Sequence, residues 1–247
     1  MKCIVLAAGY ATRLYPLTEN YPKPLLKVLD KPILDWLVDD INSSDIVDEY
    51  IIVSNHKYVE HFIEWKNNKK ISNKITIIDD GTIDNEHRLG AVSDINLAIE
   101  KLNIDDDLMV IAGDNVLDFS LNNFIRYFDD KKTSCVMTYY EESLEKLKKC
   151  STLVLDNNDK VLEMLEKPQN PTSNYCCPPF YIFVKDDVKK VKDAICSGCN
   201  VDAPGSFINY LYSKNTIHAY KMPGKRYDVG NIESYNNVNE IYKGIIN

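Results

Sequence analysis

A chain of 247 residues with 45% hydrophobic and 27% charged side chains can bury a sizeable core and has the composition of a soluble globular protein. Its formal net charge of −8 offers no basic field to a nucleic-acid backbone, and no apolar run approaches the ~20 residues of a membrane span. Met1 and Lys2 lead straight into an apolar run rather than a signal peptide, and Cys3, Cys135, Cys150, Cys176, Cys177, Cys196 and Cys199 lack paired metal-ligand spacing, so a cytoplasmic protein with free thiols is expected.

In chain order, Lys2 to Leu6 (KCIVL) is a short run rich in β-branched residues, the pattern of a buried strand. Ala7-Ala8-Gly9 ends it with residues too small to shield their own backbone, which leaves N–H groups exposed at the turn. Such groups can hold phosphate oxygens, and Arg13 and Lys23 would add positive charge. Pro16, Pro22 and Pro24 fix φ along the connection and reduce the entropy lost when it closes on a ligand. Gly9 is the only glycine before residue 81, so the GxGxxG and GxxxxGK[ST] patterns are both missing. On residues alone this stretch is either a pre-ordered phosphate loop or a surface loop with solvated cations.

Ile33, Leu34, Trp36, Leu37 and Ile41 recur at helical spacing behind Pro32. Tyr50 to Ser54 reads as a second strand, Tyr58 to Trp65 as a short helix and Lys74 to Ile78 as a third strand. Leu89, Val92, Ile95, Leu97, Ala98 and Leu102 predict an amphipathic helix opening near Gly90, and Asn85, Glu86 and Arg88 before it either cap that helix or read a base edge. Asp107 to Ala112 predicts a strand that ends in Gly113-Asp114-Asn115. That ending puts an acid where open α/β sheets bind ligands. A helix over Leu121 to Phe128 and a strand over Cys135 to Tyr139 follow, then a hairpin over 151–166 around Asp156-Asn157-Asn158-Asp159. Beyond the rigid connection of Pro168, Pro171, Pro178 and Pro179 come a strand (Phe180 to Val184), helices (Val188 to Ile195, Ser206 to Tyr212), a strand (His218 to Tyr220) and a last helix (Ile232 to Ile245). Alternating strands and helices argue a parallel, doubly wound α/β sheet that becomes mixed at the hairpin. With no internal repeat or flexible linker, residues 1–247 are expected to form one domain.

The stretch LAAGYATRLYPLTENYPKPLL is similar to the signature LAxGxGTRLxPLTxxxPKPL of the sugar-phosphate nucleotidylyltransferases, and LEKPQNPTSNYCCPPFYIF resembles the family's EKPxxPxSNxAxxGxYxF. Asp114 in GDN and Asp228 in RYDVGNIESY resemble the family's two metal-binding aspartates, and the motifs follow the family's order to about residue 235. The resemblance implies a Rossmann-like (glycosyltransferase A-like) fold: a mixed, mostly parallel central sheet flanked by helices, with a small β-hairpin substrate subdomain. It implies Mg²⁺-dependent transfer of a nucleotidyl group from a nucleoside triphosphate to a sugar 1-phosphate, with release of pyrophosphate. The pair dTTP and glucose 1-phosphate is favoured, and CTP with a non-hexose phosphate such as phosphocholine is the alternative.

The roles implied for single residues follow. Arg13 suits the departing β- and γ-phosphates and Lys23 the α-phosphate under attack. Leu6, Ala7, Gly9, Ala11, Thr12, Gly90 and Asp114 would line the nucleotide, and Asp114 and Asp228 would hold Mg²⁺. Asn115, Glu166 and Lys167 would bind the acceptor, Glu166 through sugar hydroxyls and Lys167 through the anomeric phosphate. The acceptor's own ionised oxygen can attack, so no residue need act as nucleophile, and His56, His61, His87 and His218 receive no catalytic role. Two positions depart from the pattern: Ala11 replaces the second glycine of the signature, and Pro179 replaces a glycine that lines the sugar pocket. The resemblance implies that homo-oligomers are common, and at this length the β-helix that some members append is not expected. Two rivals from other classes are a catalytically silent nucleotide-sugar-binding regulator and a glycosyltransferase using Asp105-Asp106-Asp107 as a DxD metal motif.

Overall fold

A computed structural model describes residues 1–246. The first strands and helices are Lys2–Leu6 (β1), Lys27–Val28 (β2), Lys31–Pro32 (β3), Ile33–Asn42 (α1), Glu49–Ser54 (β4), Val59–Asn68 (α2) and Lys74–Asp79 (β5). Next come Ala91–Leu102 (α3), Leu108–Ala112 (β6), Asn115–Leu117 (β7), Asn122–Lys131 (α4), Ser134–Tyr140 (β8) and Leu144–Leu147 (α5). Then follow Ser151–Leu155 (β9), Val161–Glu166 (β10), Tyr175–Cys176 (β11), Phe180–Phe183 (β12), Lys185–Val188 (α6) and Val191–Cys196 (α7). The last are Gly205–Leu211 (α8), Ile217–Lys221 (β13), Arg226–Asp228 (β14) and Ile232–Ile241 (α9). The chain divides into two compact units. One comprises residues 1–89, 112–123 and the chain from Pro223 onward, and the other residues 90–111 and 124–222.

In the first unit β1, β4 and β5 run parallel, with Ile4 beside Ile51 and Ile51 beside Thr76. All six residues of β4 are buried, which explains its nearly unbroken apolar run: a strand covered on both faces has no polar side. Ile33, Leu34, Leu37, Val38 and Ile41 form the buried stripe of α1, and Val59, Phe62 and Trp65 that of α2. β7 and β14 make a short antiparallel ribbon in which Asn115 faces Asp228. The core beside it gathers Leu14, Leu26, Val28, Ile33, Val116, Val229, Val238 and Tyr242.

In the second unit β12 lies antiparallel between β6 and β8, and β13 runs parallel to β8. β11 bridges β8 and β9, and β9 with β10 forms the expected hairpin. Its turn is fixed by Asp156, whose Oδ1 accepts from the N–H groups of Asn158 at 2.8 Å and Lys160 at 2.9 Å.

Several ends differ from those the periodicity predicts. α2 and α4 each run three residues further, to Asn68 and Lys131, and the helix expected over Val188 to Ile195 becomes α6 and α7. α9 stops at Ile241 because Tyr242 leaves the helix for the core, where it is 2% exposed and its hydroxyl donates to the Leu117 carbonyl at 2.8 Å. Among the described residues no helix is long and apolar enough to cross a membrane.

Candidate active site

The turn after β1 is fastened from beneath. Ala7 N–H donates to Val53 O at 2.9 Å, and the fully buried Asn55 donates to Ala8 O at 2.9 Å while accepting from Tyr58 N–H at 3.0 Å. Tyr10, 3% exposed, shares a hydrogen bond of 3.1 Å with Thr82 Oγ1. Thr18 Oγ1 donates to Ala11 O at 2.8 Å, and Tyr58 donates to Thr18 O at 2.6 Å. These bonds occupy one side of the loop and leave the other open: a Cβ on Gly9 would meet nothing within 4 Å, and Thr12 and Arg13 are exposed. Among the described residues no hydrogen bond or ion pair engages the Arg13 guanidinium. Leu6 thus ends β1, Ala7, Gly9 and Ala11 lie in the pinned turn after it, and Thr12 and Arg13 begin the 3-10 turn Thr12–Leu14.

Ala11 has φ 47° and ψ 42°, the left-handed conformation that glycine adopts without steric penalty. The alanine thus sits in a conformation suited to glycine and bears a strain of about 1–2 kcal/mol. Ala11→Gly should relieve most of that, less the larger unfolded-state entropy of glycine, and raise the melting temperature by about 2 °C. An unchanged or lower Tm in calorimetry would mean that the Ala11 methyl, packed beside the Leu14–Val116 core, contributes more than the strain.

Lys23 takes the opposite environment from Arg13. It opens a 3-10 turn, Lys23–Leu25, between Pro22 and Pro24, and is 7% exposed. Its Nζ lies 2.9 Å from Asp114 Oδ2. Asp114 follows Gly113, where any Cβ would fall 2.7 Å from Val5 Cγ1, so only glycine lets this segment lie against β1 and the loop. Gly113 N–H donates to Leu6 O at 3.0 Å. The other oxygen of Asp114, Oδ1, accepts from Asn115 Nδ2 at 2.8 Å. Burial opposes the Asp114 charge, but the charge and hydrogen bond of Lys23, with the charge of Arg226, hold its carboxyl below the usual range.

Asn115 is 3% exposed and its Oδ1 accepts from Arg226 NH1 at 2.6 Å. Asp228, exposed, stands directly across the ribbon from Asn115. The ladder thus brings Asp114 and Asp228 to one end of the ribbon with Lys23 beside them. Among the described residues no group of three or more His, Cys, Asp or Glu side chains converges. Two carboxylates would suit Mg²⁺, which takes one or two and completes its shell with phosphate oxygens and water.

In the second unit Gly90 is the N-cap of α3 with φ 96°, and a Cβ there would lie 2.7 Å from Val201 O. Before it in the chain, Arg88 NH1 donates to Asn85 O at 2.9 Å. Glu166 ends β10 with its carboxylate accepting from Ser151 Oγ. Lys167, with φ 45°, places its Nζ 3.8 Å from Glu166 Oε1; its side chain is 62% exposed against 18% for Glu166. A Cβ at Gly205 would fall 2.7 Å from both Glu166 Oε2 and Ser151 Oγ, so the start of α8 closes on this carboxylate only because it is glycine. Sequence reasoning missed Ser151, Gly205 and Arg226; neither spacing nor residue type signals them, because each is defined by a partner far along the chain.

Asp105 pairs with Lys185 at 2.7 Å and Lys189 at 3.6 Å, and Asp107 accepts from Lys185 N–H at 2.8 Å. These acids anchor α6 from the N-terminal side of β6, and the DxD reading has no support there. His56 pairs with Asp79 at 2.6 Å, His87 with Asp84 at 2.8 Å, and His61 donates to Asn20 O at 2.9 Å.

Residues 2–244 match the family model described as nucleotidyl transferase. A bifunctional protein GlmU from Methanococcus aeolicus is 31% identical over 232 residues, which is 93% of this chain and 51% of that protein. Among solved structures, a UDP-glucose pyrophosphorylase complexed with UDP-glucose superimposes with a TM-score of 0.82 at 21% identity, covering 98% of this chain and 97% of that one. The CTP:phosphocholine cytidylyltransferase of Streptococcus pneumoniae does so with a TM-score of 0.73 at 22% identity, covering 98% and 99%. At those identities the likeness is one of fold, and it bears out the mixed, mostly parallel sheet flanked by helices. The chain spans 51% to 62% of the length of curated relatives from Sulfolobus acidocaldarius, Methanocaldococcus jannaschii and Methanococcus aeolicus.

Proposed function

The chain belongs to the nucleotidyl transferase family, and on that premise we propose that it transfers a nucleotidyl group from a nucleoside triphosphate to a sugar 1-phosphate and releases pyrophosphate. One observation carries the reading: a turn with open backbone and an unengaged Arg13 lies in the same unit as a buried Lys23 paired with Asp114 at 2.9 Å. Uniting a triphosphate with a phosphate monoester concentrates negative charge, so catalysis is a matter of placing cations and aligning the attack. Arg13 holds the departing β- and γ-phosphates through its forked donors. Lys23 has three protons and can keep Asp114 while turning another toward the α-phosphate. Asp114 and Asp228 hold Mg²⁺, which when bound neutralises charge on the phosphates. The acceptor phosphate is ionised at neutral pH and attacks in line without a protein nucleophile. Glu166 takes hydroxyl groups of the acceptor and Lys167 its phosphate.

Within this reading dTTP with glucose 1-phosphate is the first pair to try and CTP with phosphocholine the second. Pro179, bulkier than glycine and without an N–H to donate, supports keeping the non-hexose acceptor. The experiment is pyrophosphate release over a matrix of nucleoside triphosphates against sugar 1-phosphates, phosphocholine and glycerol phosphate. Release with one pair names the substrates; none anywhere, with nucleotide-sugar binding intact, replaces the enzyme by a silent regulator.

A smaller effect is expected at the acceptor. Ser151→Ala removes a donor to the Glu166 carboxylate, and a hydrogen bond to a partly exposed charge is worth about 1 kcal/mol, or about fivefold. The acceptor KM should rise by that factor with the nucleotide KM unchanged. Equal changes in both would remove Glu166 from acceptor recognition.

A further inference from the structure

We propose that Arg226 is a positioning residue for the metal-binding carboxylate of Asp114, acting through the side-chain amide of Asn115. The inference rests on the transferase reading for the role of Asp114. Its own ground is a relay of three hydrogen bonds. Arg226 NH1 donates to Asn115 Oδ1 at 2.6 Å, Asn115 Nδ2 donates to Asp114 Oδ1 at 2.8 Å, and Lys23 Nζ donates to Asp114 Oδ2 at 2.9 Å. An amide is nearly symmetric in shape and chooses its orientation by its neighbours. Here a guanidinium that can only donate stands on one side and a carboxylate that can only accept stands on the other, so a single orientation satisfies both. The second proton of Nδ2 points to Ala112 O at 3.5 Å. Asn115 is 3% exposed, so water does not substitute for either partner.

The ribbon explains why the arginine stands there. Arg226 faces Leu117 and Asp228 faces Asn115, so Arg226 and Asp228, two apart on β14, share a face, and Arg226 reaches diagonally to Asn115. One three-residue strand thus delivers the second carboxylate and the cation that steers the first. Without Arg226 the amide can turn its oxygen toward Asp114, and the carboxylate loses the fixed donor that holds Oδ1. Partners of this outer kind typically change metal affinity about 10–100-fold when removed.

The test is a double-mutant cycle read by metal binding. Mn²⁺ binding in the presence of nucleoside triphosphate is followed by electron paramagnetic resonance for the wild-type chain, Arg226→Met, Asn115→Ala and the double variant. The Mg²⁺ concentration for half-maximal pyrophosphate release is measured beside it. Arg226→Met should weaken Mn²⁺ binding and raise that Mg²⁺ concentration about tenfold. The double variant should lose clearly less than the two single losses together, because the relay through Asn115 is shared and only the direct charge of Arg226 on Asp114 lies outside it. Arg226→Lys, which keeps the charge without the fork, should recover part of the loss. Wild-type Mn²⁺ affinity in Arg226→Met, or additive losses in the cycle, overturns the inference. If Arg226→Met fails to fold by thermal melting, the same cycle run with Arg226→Lys decides it by the same criterion. No pyrophosphate release by the wild-type chain overturns the transferase reading instead, and the Mn²⁺ cycle still judges Arg226.

Discussion

Asp114→Asn should lower the rate of pyrophosphate release about 10²–10³-fold at saturating Mg²⁺, a loss of the size seen when one preorganised electrostatic partner is removed from a reacting phosphate or acyl group. The substitution keeps the shape of the side chain and removes its charge, so Lys23 loses its counter-ion 2.9 Å away and, on the proposed reading, the metal loses a ligand. Stability should fall by only about 1 kcal/mol, because the Asp114 side chain is 42% exposed and solvent can take over part of the lysine charge. The sign of the pH effect also follows. The folded carboxyl lies below its ordinary value, so its contribution is complete above the unfolded value of about 4 and is lost only as pH falls through the lower folded value. A melting series between pH 7 and pH 3 should show an acid-side decline in the wild type that is reduced in Asp114→Asn. Near-normal turnover in this variant would remove Asp114 from the metal site, whatever the melting curves show.

Much of the first unit is legible in the sequence, for physical reasons specific to its elements. β1 and β4 are short apolar runs because both faces are covered, and the stripe of α1 has helical spacing because a single face is buried. The loop after β1 is legible as a motif, yet its fastening is not. Asn55, Tyr58 and Thr82 hold it from distant segments, and nothing in their own neighbourhoods announces that task. The β7–β14 ribbon is the clearest gap. Its strands have three residues each and no period to detect, and they lie about a hundred residues apart in the chain, so only folding reveals that Asp228 faces Asn115. Resemblance points to Asp114 and Asp228 one at a time, and the register sets Asp228 opposite the residue that follows Asp114. The left-handed backbone of Ala11 and Lys167 is equally silent in sequence, since both residue types avoid it unless their surroundings impose it.

The other large effect is expected at Lys23, and the contrast with Arg13 explains its size. Lys23→Met keeps the length and apolar stem of a side chain that is 7% exposed, so the turn Lys23–Leu25, closed by Leu25 N–H on Pro22 O at 3.0 Å and Leu26 N–H on Lys23 O at 3.0 Å, should survive. What disappears is the ammonium paired with Asp114. On the proposed reading the α-phosphate then has no cation to offset the carboxylate beside it, and the attack becomes harder. Turnover should fall about 10³-fold, whereas Arg13→Met, which alters an exposed group on the leaving side, should act more on the nucleotide KM than on the melting temperature. Lys23→Arg should not restore activity, because a buried site holding a single ammonium 2.9 Å from Asp114 has to take a larger, planar fork instead. Single-turnover kinetics distinguish the two cations: a Lys23 defect belongs in the chemical step at saturating nucleotide, and an Arg13 defect should diminish as nucleotide is raised. If Lys23→Met and Arg13→Met both reduced to a nucleotide KM effect with the chemical step intact, Lys23 would be a binding residue and the assignment of the α-phosphate to it would be lost.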